Sequence, residues 1–348
     1  MSKTAGYDPG IRRASLSGIL EDKLDAAAAA GFDGVEIFEP DLIASSSTRV
    51  GEFGRPDRGP AGRTGEPQVV RPSTQIGPRV SFTLPRGATM AYRDSGLSLA
   101  GQTVLLLHGV GMTADLNWGA SYADLGRQFR VVAPDLPGHG RGVRPWPKFN
   151  IEDCADHIVA LADSLAVDRF IACGYSMGSL VAQEMWRRHP DRISGIVLGA
   201  AARNFLGTAA ERMAASLSPV FAAAAQANPF LRVLRADAFG LGYLNDLDAA
   251  ARAHVRAEMS LTSMATVAAA VAAVGEFTSH DWIGNVDVPV SVLVTTRDSV
   301  VPTSRQLKLA DAIPHATVIS VDGDHSVFAA APRLFAEKVL EACRAVAT

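Results

Sequence analysis

Three side chains far apart in the sequence have the types needed to open an acyl bond: Ser176, Asp298 and His325. Ser176 stands in Gly174-Tyr175-Ser176-Met177-Gly178, a G-x-S-x-G pattern. An apolar run, 169–173, precedes it, and a helix-like run, 179–189, follows. The glycines have a steric purpose. A serine held out beyond a strand end needs a very tight turn, and glycine leaves room where the next helix folds back. Such a serine attacks a carbonyl when a base lies within hydrogen-bond reach, a carboxylate orients that base, and N–H groups receive the oxyanion. Taken alone, the pattern reads equally well as a small-residue turn between strand and helix. Its partners decide.

Asp298 follows the apolar strand 290–294, at the end of a parallel strand where ligand sites gather. It could instead be a turn residue or a cap for the next helix, but Thr303 and Ser304 already offer caps there. His325 follows the strand 316–321 and precedes the last helix. The remaining histidines have blander readings: His189 before Pro190, His157 on a surface helix, His254 and His280 in an insertion, His315 in a loop. Asp322 and Asp324 are too near His325 in sequence to fold back onto its ring, and read as local loop formers. The oxyanion donors are expected from the backbone N–H groups of Met177 and Val110, the latter in a glycine-flanked loop after the apolar strand 103–107. His108, Gly109, Tyr175 and Phe205 are the expected pocket residues, with His108 packing beneath its loop.

Further strands are expected at 80–84, 88–93, 129–133 and 193–200, and helices at 151–165, 304–312 and 332–346. Apolar strands alternating with helices indicate an α/β fold whose mostly parallel sheet is covered on both sides. Residues 203–283 break this alternation. They are rich in Ala, Met and Phe with helical spacing, and read as a helical cap between 79–202 and 284–348, the two parts of the core. Cap residues Phe205, Met213, Phe221, Phe230, Leu231, Phe239 and Met264 suggest an apolar substrate, although helix packing would use them equally well. Residues 44–78, rich in Ser, Gly, Pro and Arg, read as a disordered linker. Residues 1–43 read as a short β-α-β fragment with Gly31 at its helix C-cap.

Composition narrows the function. The 348 residues are 48% hydrophobic and 20% charged with a formal net charge of −3, which gives no electrostatic reason to expect nucleic acid. No apolar stretch is long enough to span a membrane and no leader-like N-terminus is seen. Cys154, Cys173 and Cys343 form no metal-binding or redox pair, and a reducing cytoplasm is expected. No metal or organic cofactor is expected, and the oligomeric state is not encoded in any pattern.

Together the His108-Gly109 loop, the turn Asp135-Leu136-Pro137-Gly138-His139-Gly140, the Gly174–Gly178 elbow, Asp298 and His325 make residues 79–346 resemble an α/β-hydrolase. The resemblance implies an eight-stranded sheet with its second strand antiparallel, a cap inserted after the sixth strand, and the chain order nucleophile, acid, histidine. It implies a serine hydrolase for a small apolar carboxylic ester, thioester or lactone. Carbon–carbon bond hydrolases and cofactor-free haloperoxidases are alternatives of the same fold, as is a non-catalytic binder using the same cavity. A nucleophilic Asp would have indicated dehalogenase or epoxide hydrolase chemistry, and Ser176 speaks against both. Around Gly34-Val35-Glu36-Ile37-Phe38 the N-terminal fragment resembles the opening of a sugar-phosphate isomerase or dehydroshikimate dehydratase barrel. A closed barrel needs eight such units, so Glu36 and Glu39 are read as solvated carboxylates.

Overall fold

The computed structural model describes residues 76–83, 89–96, 101–143, 149–205, 227 and 249–347. The N-terminal fragment, nearly all of the linker, and Met213, Phe221, Phe230, Leu231 and Phe239 lie outside the described residues.

Strands are β1 (Arg79–Thr83), β2 (Thr89–Asp94), β3 (Thr103–Leu107), β4 (Arg130–Pro134), β5 (Phe170–Tyr175), β6 (Ile193–Gly199), β7 (Val290–Thr295) and β8 (Thr317–Val321). They form one sheet in the order β1-β2-β4-β3-β5-β6-β7-β8. β2 runs antiparallel to both neighbours and the remaining pairs are parallel. The order reverses between β3 and β5, and the crevice beyond the strand ends at such a point is where open α/β sheets bind ligands.

The described helices are α1 (Ala114–Trp118), α2 (Tyr122–Gly126), α3 (Ile151–Ser164), α4 (Met177–Arg188), α5 (Ala249–Met259), α6 (Met264–Glu276), α7 (Thr303–Asp311), α8 (Val327–Ala330) and α9 (Pro332–Val346). Alternate residues of each central strand feed two separate cores, because successive side chains point to opposite faces. Leu105, Leu107, Phe170 and Ala172 pack with α3, α4 and α7. Val104, Leu106, Ile171 and Cys173 pack with α1, α2 and α9. With both faces covered, β3, β5 and β7 are buried along their whole length.

Three findings depart from the sequence reading. Ile76, assigned to the linker, is fully buried against the second core. Helices α1 and α2 were not anticipated, since each is too short to show a helical period. Helix α6 is neither purely cap nor purely core: Ala269, Ala270 and Val274 enter the first core, while the same helix helps to wall a cavity. The insertion is pinned at its base by a bridge between Asn204 and Thr278. Among the described residues no helix is long and apolar enough to cross a membrane.

Candidate active site

Ser176 occupies a one-residue turn between β5 and α4, with φ 53° and ψ −120°. A residue with a side chain adopts such a conformation at a cost of ~1–3 kcal/mol. Hydrogen bonds hold it. The Ser176 N–H donates to the Gly199 carbonyl at 2.9 Å, and the Ser179 hydroxyl lies 2.9 and 2.8 Å from the carbonyls of Gly174 and Gly199. The glycines provide clearance, as expected. A Cβ on Gly178 would stand 2.0 Å from the Leu107 carbonyl oxygen, and one on Gly174 would stand 2.2 Å from that of Gly178.

The loop between β8 and α8 brings His325 Nε2 to 3.0 Å from Ser176 Oγ. On its other side, His325 Nδ1 lies 2.8 Å from Asp298 Oδ2. An ionised carboxylate only accepts, so Nδ1 carries the proton and donates it, and Nε2 presents its lone pair to the serine hydroxyl. Three residues from distant parts of the chain thus meet in one hydrogen-bonded line.

Asp298 is both orienter and turn residue, although the sequence reading set these as alternatives. Its Oδ1 accepts the N–H groups of Val300 and Val301 at 2.9 Å each. Its Oδ2 also accepts from the Thr295 hydroxyl at 2.7 Å and from Gln306 Nε2 at 3.3 Å. Burial alone would raise this carboxyl's pKa. The bond and charge of His325, the Val301 N–H and the Thr295 hydroxyl outweigh that, holding it below its ordinary value. The expected cap at Thr303 is corrected: the cap position is Pro302, and the Thr303 hydroxyl donates to the Thr295 carbonyl at 2.7 Å. Asp322 faces Arg297, and Asp324 Oδ1 accepts the Ser326 N–H and hydroxyl at 2.8 and 2.6 Å. Both carboxylates therefore shape the loop, as read from sequence.

A cavity of about 740 Å³ opens above the serine. Gly109, Val110, Tyr175, Ser176, Phe205 and His325 lie on its wall, together with Met264, Val267, Val271 and Val274 of α6. His108 does not, which corrects its assignment to the pocket. It is fully buried beneath the loop, accepting the Leu136 N–H at Nε2 (2.8 Å) with Nδ1 2.8 Å from the Gly109 carbonyl. Burial and the neighbouring His139 push its pKa down to about 3, so it stays neutral. The turn 135–140 is structural as well. Asp135 accepts the N–H groups of Ala114 and Arg141 at 2.8 Å each, and burial raises its carboxyl to about 6. Met177, the first residue of α4, has an N–H without an intrahelical partner by its position. Among the described residues no cluster of His, Cys, Asp or Glu is placed to hold a metal ion.

Sequence reasoning missed Ser179, Thr295 and Gln306. Thr295 is a polar residue closing a strand that is apolar apart from Ser291. Gln306 interrupts the buried stripe of α7 that continues through Leu309 and Ala310. A polar residue at a core position of an amphipathic helix was the available signal.

A family model described as the alpha/beta hydrolase fold matches residues 102–332, more than half of the chain. The chain is 33% identical over 129 residues to 2-hydroxymuconate semialdehyde hydrolase of a Pseudomonas strain, covering 36% of this chain and 44% of that protein. It is 31% identical over 108 residues to pimeloyl-[acyl-carrier protein] methyl ester esterase of Nitrosospira multiformis, covering 30% and 41%. The chain spans about two fifths of the length of the curated relatives it matches. Among solved structures, a hydrolase from Pseudomonas aeruginosa superposes with a TM-score of 0.64 at 24% identity, covering 76% of this chain and 98% of that one. The family model begins at residue 102, so it lends no support to the barrel-like reading of the N-terminal fragment.

Proposed function

We propose that this chain, which belongs to the α/β-hydrolase fold family, is a serine hydrolase that cleaves a carboxylic ester, thioester or lactone through an acyl-enzyme on Ser176. The observation that carries the reading is the unbroken line from Asp298 Oδ2 through the His325 ring to Ser176 Oγ, at 2.8 and 3.0 Å, on the wall of the apolar cavity. In this account His325 Nε2 takes the hydroxyl proton as Oγ attacks the carbonyl carbon. Asp298 stabilises the imidazolium. The N–H groups of Val110 and Met177 receive the oxyanion, each contributing ~3–4 kcal/mol of transition-state stabilisation. His325 returns the proton to the departing alcohol or thiol, then activates the water that releases the acyl group. The hydrocarbon wall fits a neutral, apolar substrate. Turnover of a series of p-nitrophenyl esters by wild type and by Ser176→Ala tests the proposal. Loss in the variant supports it, and equal turnover refutes it.

Carbon–carbon bond cleavage is a second reading, favoured by the similarity to a hydrolase of 2-hydroxymuconate semialdehyde. Against it, no lysine or arginine among the described residues lines the cavity to receive a substrate carboxylate. Following the absorbance of a dienoate ring-fission product separates the two chemistries.

A further inference from the structure

A carboxylate of the insertion between β6 and β7 reaches the loop expected to receive the oxyanion. Val255, Glu258 and Met259 share one face of α5 by their spacing, and Val255 and Met259 pack into the second core. Glu258, on the same face, is buried. Its Oε2 accepts the hydroxyl of the fully buried Thr113 at 2.6 Å, and Arg141 approaches its two oxygens at 3.3 and 3.5 Å. Burying a carboxylate is costly, and an apolar side chain would seat the helix at least as well. The carboxylate adds a fixed direction instead.

Thr113 ends the 109–113 loop and caps α1. Its hydroxyl has one proton. With that proton given to Glu258, a lone pair is left for the Leu116 N–H at 3.2 Å. Three residues back, Val110 and Gly111 form the centre of a turn that the Met112 N–H closes on the Gly109 carbonyl at 3.3 Å, with Gly111 at φ 75°. One leg of this turn is tied within the core, where the Gly109 N–H donates to Asn117 Oδ1 at 3.0 Å. The other leg is tied by its backbone at Ala114 to Asp135, and by the Thr113 hydroxyl to α5.

We propose that Glu258 is a positioning residue: through Thr113 it holds the 109–113 loop where the Val110 N–H meets the oxyanion. The inference rests on the ester-hydrolase reading and concerns how that site is held in register.

A double-mutant cycle tests it, using the p-nitrophenyl ester that wild type turns over fastest. Glu258→Leu and Thr113→Val remove the bond from its two sides. Each should lower kcat about tenfold and change KM less than threefold, since the donor is needed only as the oxyanion forms. The double variant should be within twofold of the slower single one. Glu258→Gln keeps an oxygen for Thr113 and loses the ion pair, so its kcat should stay within threefold of wild type. Thr262→Val removes the bond from the Gly140 N–H to the Thr262 hydroxyl, at 3.0 Å. It loosens the same corner of the insertion without touching the loop, and its kcat should stay within twofold. If Glu258→Leu does not fold, Thr113→Val against Thr113→Ser, which keeps the hydroxyl, reads the same bond. Unchanged kcat in the single variants, additive losses in the double, a Gln variant as slow as the Leu one, or an equal loss in Thr262→Val would each overturn the proposal while the ester-hydrolase reading stands. A wild-type protein that cleaves no ester and takes up no fluorophosphonate would sink that reading, and the proposal with it.

Discussion

The Tyr175 hydroxyl donates to the backbone carbonyl of His325 at 3.0 Å, so the residue before the nucleophile holds the loop that carries the base. Its ring also lies 5.6 Å from the His325 ring, centroid to centroid, and meets Trp118, Phe328 and Phe335 edge-on. Burial, then the charges of Asp298 and Asp324, push the phenol pKa well above its ordinary value. The proton is therefore always present to donate. Tyr175→Phe keeps the aromatic packing and leaves the His325 carbonyl unpaired. We expect kcat to fall about tenfold, from a loss of ~1–2 kcal/mol, with a smaller change in KM. Steady-state kinetics beside a thermal melt checks this, and an unchanged kcat would show that the loop is held by other contacts.

Asp298 has two oxygens with two duties, and two substitutions separate them. Asp298→Asn preserves an acceptor for Val300 and Val301 but offers an NH2 group where His325 Nδ1–H must donate, favouring the wrong tautomer. The expected loss in kcat is on the order of 10⁴ with little change in the denaturation midpoint. Asp298→Ala should lose comparable activity and also stability, because the two turn N–H groups lose their acceptor. Equal melting curves for the two variants would contradict the turn role.

The acid stability of the protein reflects His108 and Asp135 working in opposite senses. His108 titrates near 3 in the fold and at ~6.5 when unfolded. Between those values the unfolded chain binds a proton the fold does not, so this contribution is complete above about 6.5 and is lost as pH falls. Asp135, raised to about 6 from an unfolded value of ~3.9, makes the fold more stable as pH falls through that window. Over about pH 4 to 6 the two slopes, each ~1.4 kcal/mol per unit, oppose each other. His108→Gln leaves Asp135 unopposed. Urea denaturation at pH 6 and pH 4.5 should show the variant gaining ~2 kcal/mol relative to wild type. Parallel pH dependence of the two proteins would refute the assignment.

The glycines of the elbow predict a sharp contrast. Gly178→Ala sets a methyl group 2.0 Å from the fixed Leu107 carbonyl and should destabilise the fold by more than ~3 kcal/mol. At Gly126, in α2, nothing lies within 4 Å of the added methyl, and Gly126→Ala should be neutral or stabilising by up to ~1 kcal/mol. Denaturation midpoints of the two variants decide.

Sequence made the triad and the sheet legible for physical reasons. Strands β5 and β7, buried along their whole length, stand out as mostly apolar runs, and a polar residue in the loop just beyond such a run is conspicuous, as Ser176 and Asp298 are. His325 follows the half-exposed β8 and was legible from its place after a strand and behind the acid in chain order. Short helices such as Ala114–Trp118 carry no period to detect, so nothing in the sequence placed α1 beside the cavity. Tyr175 lies on the cavity wall, but its bond to His325 spans 150 positions and exists only once the sheet brings β5 beside the last loop. His108 packs beneath its loop as expected but does not line the cavity; a polar residue at a strand end looks the same in sequence whether it faces a cavity or holds a loop from below. Asp298 appeared to have two competing roles, and the carboxylate fills both by dividing them between its oxygens.

The central claim is that Ser176 is made nucleophilic by His325 within the cavity. Reaction with a fluorophosphonate, followed by mass spectrometry of the proteolysed protein, tests it most directly. The account predicts a single phosphonyl adduct on the peptide bearing Ser176, lost in Ser176→Ala and slowed at least a hundredfold in His325→Gln. No adduct on folded wild-type protein, or the same rate in His325→Gln, would contradict it.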